Sequence, residues 1–178
     1  MDFDWFVLEQ IQTLRSPIGD ALMPFFSFLA YGGWIWIVLC IVLLIIPSTR
    51  RAGVILLVAI GLDLLIVNLG LKPMRGRQRP YVLNPEHPMI VGPESDFSFP
   101  SGHTAISFTA ASSLFFSRNK LWIPALILAV IIAFSRLYLY VHFPTDVLAG
   151  AAIGILCGFL SLLIVNRFWR MEPPNVPS

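Results

Sequence analysis

Charge is what this sequence has least of. Asp, Glu, Lys and Arg make up 12% of its 178 residues, hydrophobic residues make up 57%, and the mean hydropathy is +0.79. Soluble domains carry about twice that share of charge, so the balance excludes an ordinary soluble fold and indicates an integral membrane protein. The net charge of +2 is too small for a nucleic-acid binder, and the cations are clustered instead of striped along one face. Cysteine is scarce as well. Cys40 and Cys157 each sit inside an apolar run, where they act as small hydrophobes, which excludes a disulfide framework. No polar linker divides the chain, so residues 1–178 read as a single membrane domain. Asp2 and Asp4 stand where a secretory signal would be basic, and no small-residue cleavage pattern follows.

What is present is a series of apolar runs broken by short polar stretches. Phe3, Val7, Ile11 and Leu14 recur at helical spacing opposite Asp4, Glu9, Gln10 and Gln12, which predicts a short N-terminal helix, either interfacial or packed on the bundle. Ile18 to Ile46 contains Pro24 and Gly32-Gly33 and divides into an interfacial or re-entrant helix up to about Ala30 and a span from about Gly33. Ala52 to Leu71, Ser101 to Phe116, Leu121 to Leu139 and Thr145 to Val165 follow as further apolar helices. The fold class is therefore all-α, a membrane bundle of about five transmembrane helices plus the N-terminal helix. Asp63 lies inside a span, where a carboxyl must face protein or water. Its two readings are a hydrogen bond to a neighbouring helix and a direct functional role. Gly150, Gly154 and Gly158 repeat every four residues and predict close helix packing. The tail, about 171–178, is short and proline-rich and is expected to be mobile.

Three polar clusters interrupt this pattern. Lys72 to Pro100 carries prolines at 73, 80, 85, 88, 93 and 100 and cannot be regular structure across a bilayer. Pro100-Ser101-Gly102-His103 opens a helix, where free N–H groups and the dipole favour an anion. Ser135-Arg136 and His142 share a helical face if the helix runs through them. Pro144 ends that helix and places Asp146 in the first turn of the next, within reach of the His142 imidazole. Counting crossings puts all three clusters on one membrane face. Arg50, Arg51, Arg118, Lys120, Arg167 and Arg170 fall on the other face, which the positive-inside rule makes cytoplasmic. Six cations lie on each side, so the site is assigned to the extracytoplasmic face only by reserving Lys72, Arg79 and Arg136 for catalysis.

The pattern Lys72-x6-Arg79-Pro80, Pro100-Ser101-Gly102-His103 and Ser135-Arg136-x5-His142-x3-Asp146 resembles the three-part signature of the type 2 phosphatidic acid phosphatase (PAP2) superfamily in its membrane, lipid phosphate phosphatase branch. The resemblance spans residues 72–146, and the first 50 residues carry little of it. It implies that His142 attacks phosphorus to form a phosphohistidine, that Asp146 supports its imidazole, and that His103 is the general acid and base. It implies that Lys72, Arg79, Arg136, Ser101 and the Gly102 backbone hold the phosphoryl oxygens, with no metal or cofactor. Arg75 and Arg77 lie between signature positions and are candidate headgroup contacts. Glu86, His87, Glu94 and Asp96 lie in the loop that could shape the headgroup entrance, with no assigned role. The implied substrate is a lipid phosphate or diphosphate in the bilayer. Undecaprenyl diphosphate leads, with phosphatidylglycerophosphate, phosphatidic acid and lipid A phosphates as alternatives and an anionic-lipid transporter as a distant one. Nothing indicates a nucleic-acid or protein partner.

Overall fold

A computed structural model describes residues 2–169; Arg170 and the expected mobile tail lie outside the described residues. Every regular element among them is helical. Helix α1 (Phe3–Gln12) leads through Ser16, whose hydroxyl accepts a hydrogen bond from Gly19 N at 3.1 Å, into α2 (Pro17–Leu29). Ser at the cap and Pro17 at the first helical position together set that start. Gly32 (φ 60°) and Gly33 (φ 73°) then turn the chain through 44° into α3 (Trp34–Ile45). The left-handed backbone at both positions suits glycine, and the bend falls where Ile18–Ile46 was expected to divide.

Helix α4 (Arg50–Asp63) continues without a break through a π-helical stretch (Leu64–Leu71) into α5 (Lys72–Arg75), which stops at Gly76. Lys72 is thus carried on the end of a membrane helix, one turn further along than the loop predicted from the prolines. After a single turn, α6 (Pro80–Leu83), the chain is irregular until α7 (Gly102–Phe116), which is followed by α8 (Trp122–Tyr138) and α9 (Pro144–Trp169). The stretch Pro47–Leu83, helical as far as Arg75, and α9 are each long and apolar enough to cross a membrane, and the bent α2–α3 pair makes a third crossing if counted as one span. Helices α7 and α8, at 15 and 17 residues, are shorter than a full span of about 20.

The glycines of α9 lie against α7, as expected. A Cβ at Gly150 would come within 2.6 Å of Ser101 O, and one at Gly154 within 2.8 Å of Thr109 N. Backbone therefore touches backbone along the seam. At its upper end the seam is tied by Ser101 N donating to Asp146 O at 3.0 Å, so the first turns of α7 and α9 are held together. Asp63 accepts a hydrogen bond from Thr109 Oγ1 at 3.1 Å, the neighbouring-helix contact that was one of its two readings, and it also lines the cavity described below.

Candidate active site

The helix carrying Ser135 and Arg136 ends at Tyr138, within one residue of the expected apolar range Leu121–Leu139, and does not run on through His142. Tyr140, at φ 60°, then reverses the chain so that Leu139–Phe143 form a buried turn. Ser135 and His142 consequently do not share a helical face, and the Ser135 hydroxyl donates to Ile132 O at 2.7 Å. His142 is fully buried. It is not at an exposed helix end.

Arg79 Nη1 donates to Val141 O at 2.8 Å and lies 3.1 Å from His142 Nε2. A guanidinium can only donate, so Nε2 carries the lone pair and Nδ1 the proton. Nδ1 lies 3.4 Å from Ser98 Oγ, and Ser98 Oγ donates to Asp146 Oδ2 at 2.5 Å. The direct Nδ1 to Asp146 Oδ2 separation is 3.6 Å, a charge contact longer than a hydrogen bond. Asp146 Oδ2 also accepts from Phe143 N at 2.8 Å. Asp146 therefore reaches the imidazole chiefly through Ser98, a residue the sequence reading did not single out. Burial, with Arg79 and Arg136 alongside, holds the His142 imidazole well below the ordinary value of 6.5. It is therefore neutral at pH 7.

The three cations converge. Lys72 Nζ lies within 3.4 Å of where a Gly102 Cβ would stand, at the start of α7. Arg79 and Arg136 are each 2% exposed. Charges buried to that degree need partners, and the loop before α7 supplies them. Asp96 bridges Lys72 and Arg79, while Glu94 pairs with Arg79 Nη2 at 2.6 Å and with Arg136 Nη2. Arg136 Nη1 also donates to Ser27 Oγ on α2. Burial pushes Asp96 up, but hydrogen bonds and charge from Lys72 and Arg79 outweigh it and hold the carboxyl at about 2. Burial likewise acts against Glu94, and Arg136 and Arg79 more than offset it, leaving its carboxyl below the usual range. Among the described residues, Arg136 Nε is the one buried side-chain polar atom without a partner.

Ser101 is buried and its hydroxyl accepts from Thr104 Oγ1 at 3.0 Å. Its own amide is taken by Asp146, so the turn reaches the cradle through Gly102. His103 borders the same cations and lines a cavity of about 980 Å³ that also includes Lys72, Asp96 and Arg136. The far walls are apolar. Phe28, Tyr31, Ile37 and Leu64 line the cavity and are 61, 66, 43 and 49% exposed, which places its mouth on the lipid-facing side. Among the described residues, no three of His, Cys, Asp and Glu converge as a metal site would require.

Two sequence assignments need revision. Arg77, taken as a candidate headgroup contact, gives Nη1 to Asp146 Oδ1 at 2.7 Å and Nη2 to Asp4 Oδ2 at 2.6 Å. Its charge is committed to protein carboxylates. Glu94 and Asp96, left without a role, are the counter-ions of the cradle; four cations, Lys72, Arg75, Arg77 and Arg79, within eight residues were the signal that acids had to be near. Arg75 is exposed and lies 5.4 Å from the Phe99 ring, a position open to headgroups.

The sequence profile of the PAP2 superfamily matches residues 52–170, two-thirds of the chain and all three polar clusters. The chain belongs to the PAP2 superfamily. Among its relatives is an undecaprenyl-diphosphatase of Sulfolobus acidocaldarius, 35% identical over 88% of this chain and 73% of the relative. A lipid A 4'-phosphatase of Bacteroides thetaiotaomicron is 32% identical over 99% of this chain and 83% of the relative. The crystal structure of Aquifex aeolicus LpxE superposes with a TM-score of 0.80 at 31% identity, covering 92% of this chain and 96% of that one. The transmembrane PAP2-type phosphatidylglycerolphosphate phosphatase of Bacillus subtilis superposes at 0.74 with 28% identity, covering 95% and 87%. The PAP2 chain described here is accordingly a membrane-embedded hydrolase of phosphate esters.

Proposed function

We propose that this PAP2 protein removes the terminal phosphate of a membrane lipid phosphate or diphosphate through a phosphohistidine on His142. The observation that carries the reading is the His142 Nε2 lone pair, 3.1 Å from Arg79, facing a cradle of three cations now filled by Glu94 and Asp96. A phosphoryl group would displace those carboxylates, since its oxygens match the forked Arg donors as a carboxylate does and gather the charge on one centre that reaches all three cations. Nε2 attacks phosphorus as the bond to the leaving oxygen breaks, and His103, which takes up a proton once the phosphate's negative charge offsets the cations around it, gives that oxygen its proton. His103 then takes a proton from water, whose oxygen attacks phosphorus as the P–N bond breaks. Inorganic phosphate leaves. Lys72, Arg79 and Arg136, with Gly102 N–H and the unpartnered Arg136 Nε, would meet charge that develops on the equatorial oxygens.

Undecaprenyl diphosphate is the leading substrate, on the strength of the Sulfolobus relative and of a cavity that adjoins lipid. Phosphatidylglycerophosphate and lipid A phosphates follow from the other relatives. We place the site on the extracytoplasmic face. Lys72, Arg77, Arg79 and Arg136 are neutralised by protein carboxylates, which removes them from the positive-inside tally. On the opposite face, Arg51 donates to Asn166 at 2.6 Å, bringing the basic ends of α4 and α9 together. Phosphate release by purified protein in chelator, across a panel of lipid headgroups, tests the reaction and its metal independence. A membrane-impermeant maleimide reacting in intact cells with a cysteine placed at Gln78, but not with one at Lys120, tests the orientation.

A further inference from the structure

Helix α1 buries an acid on its packed face. Leu8 and Asp4 are 0 and 5% exposed, whereas Phe3 and Phe6 are 57 and 53% exposed. A carboxylate buried beside a leucine needs a reason in the neighbouring structure. Asp4 Oδ1 accepts from Thr145 N at 2.9 Å, and Oδ2 accepts from Thr145 Oγ1 and from Arg77 Nη2, each at 2.6 Å. Arg77 reaches on with Nη1 to Thr145 Oγ1 at 2.8 Å and to Asp146 Oδ1 at 2.7 Å, its guanidinium lying 4.2 Å over the Phe143 ring. The result is a row of alternating charge, Asp4, Arg77, Asp146, that ends on His142.

We infer that Asp4 and Arg77 are positioning residues for the nucleophile, an inference that rests on His142 being that nucleophile. Arg77 occupies Oδ1 of Asp146 and so fixes Oδ2 toward Ser98 and the imidazole. Asp4 shares the Arg77 charge. With Asp4 present, Asp146 keeps negative charge for the imidazole as it turns cationic in the transition state. Without it, Arg77 is matched by Asp146 alone and that support weakens. Neither residue touches the Lys72, Arg79 and Arg136 cradle, so the effect belongs on turnover and not on substrate affinity.

The test uses the full chain in detergent or nanodiscs, with a lipid phosphate as probe, and four variants: Asp4→Asn, Arg77→Gln, the double variant and His142→Asn. Asp4→Asn should lower kcat about tenfold, one hydrogen-bonded charge in scale, with KM changed less than about twofold. The rate of phosphoenzyme labelling under an alkaline quench should fall in parallel. Removing both charges at once restores neutrality beside Asp146, so the double variant should lose less than the product of the two single losses. Full kcat in folded Asp4→Asn, or single losses that simply multiply, overturns the inference. A KM that rises with the fall in kcat also overturns it. If Asp4→Asn does not fold, Arg77→Gln and Arg77→Lys carry the kcat-against-KM comparison, with Lys expected to recover part of the activity. An active His142→Asn would sink the nucleophile reading itself, whereas an inactive His142→Asn beside a fully active Asp4→Asn sinks only the role of α1.

Discussion

The α7–α9 seam and the cation cradle meet at Ser101, yet they are held together by opposite means. Along the seam the contacts come from residues with little or no side chain. Gly150 and Gly154 let the α9 backbone approach the α7 backbone, and the attraction is dispersion between surfaces with little freedom to reorganise, joined by neutral hydrogen bonds from Ser101 N to Asp146 O and from Ser112 Oγ to Gly154 O. In the cradle, Lys72, Arg79 and Arg136 are held by Glu94 and Asp96 on an irregular loop. Those contacts are ionic and exchangeable, because a ligand's oxygens can replace the carboxylates one for one. The seam fixes where the first turns of α7 and α9 stand. The cradle can change partners without moving them.

Four experiments would break or sharpen that contrast. The largest effect belongs to His142→Asn, which should lower kcat by at least about 10⁴-fold, the scale of removing a nucleophile, while a thermal melt moves little because Asn keeps a polar partner for Arg79. Gly154→Leu acts on the other region. Overpacking the seam should destabilise by about 3 kcal/mol, seen as a lowered melting temperature with loss of monodispersity, and activity should fall in step with the folded fraction. If melting and activity dissociate in this variant, the seam is not the rigid part. The double variant Glu94→Gln, Asp96→Asn should bind orthovanadate about tenfold more tightly, a difference of about 1.4 kcal/mol, because the cradle's occupants no longer compete. Weaker vanadate binding would mean that the two acids organise the cradle instead of occupying it. The smallest effect is in pH dependence. A His142 pKa lowered from 6.5 keeps the imidazole neutral as the medium is acidified, so kcat/KM should hold as pH falls through 6.5 and decline only well below it. An acidic limb at or above 6.5 would contradict the buried, cation-flanked setting.

Much of this was legible in the sequence because it depends on spacing. The glycine period predicted the seam, and the three motifs predicted that Lys72, Gly102, Arg79 and His142 would converge. Pro144 correctly marked the start of α9. The rest depends on contacts that no local pattern encodes. Tyr140 adopts a left-handed backbone that few tyrosines do, so the helical face expected to carry Ser135 and His142 together does not exist. Asp4 lies 142 residues from Asp146, and its inward orientation runs against the amphipathic pattern of α1. Ser98 sits in an irregular segment where a serine is unremarkable by sequence. Glu94 and Asp96 lie in an irregular loop, and the burial of Arg79 and Arg136 that demands counter-ions is visible only in the fold.

The bend at Gly32 and Gly33 leaves Phe28 and Tyr31 at the mouth of the cavity, facing hydrocarbon. A molecule that arrives through that opening never has to leave the leaflet, and neither does its dephosphorylated product. Turnover should then follow the mole fraction of substrate among the surrounding lipids, so that adding inert phospholipid at fixed bulk concentration slows the reaction by surface dilution.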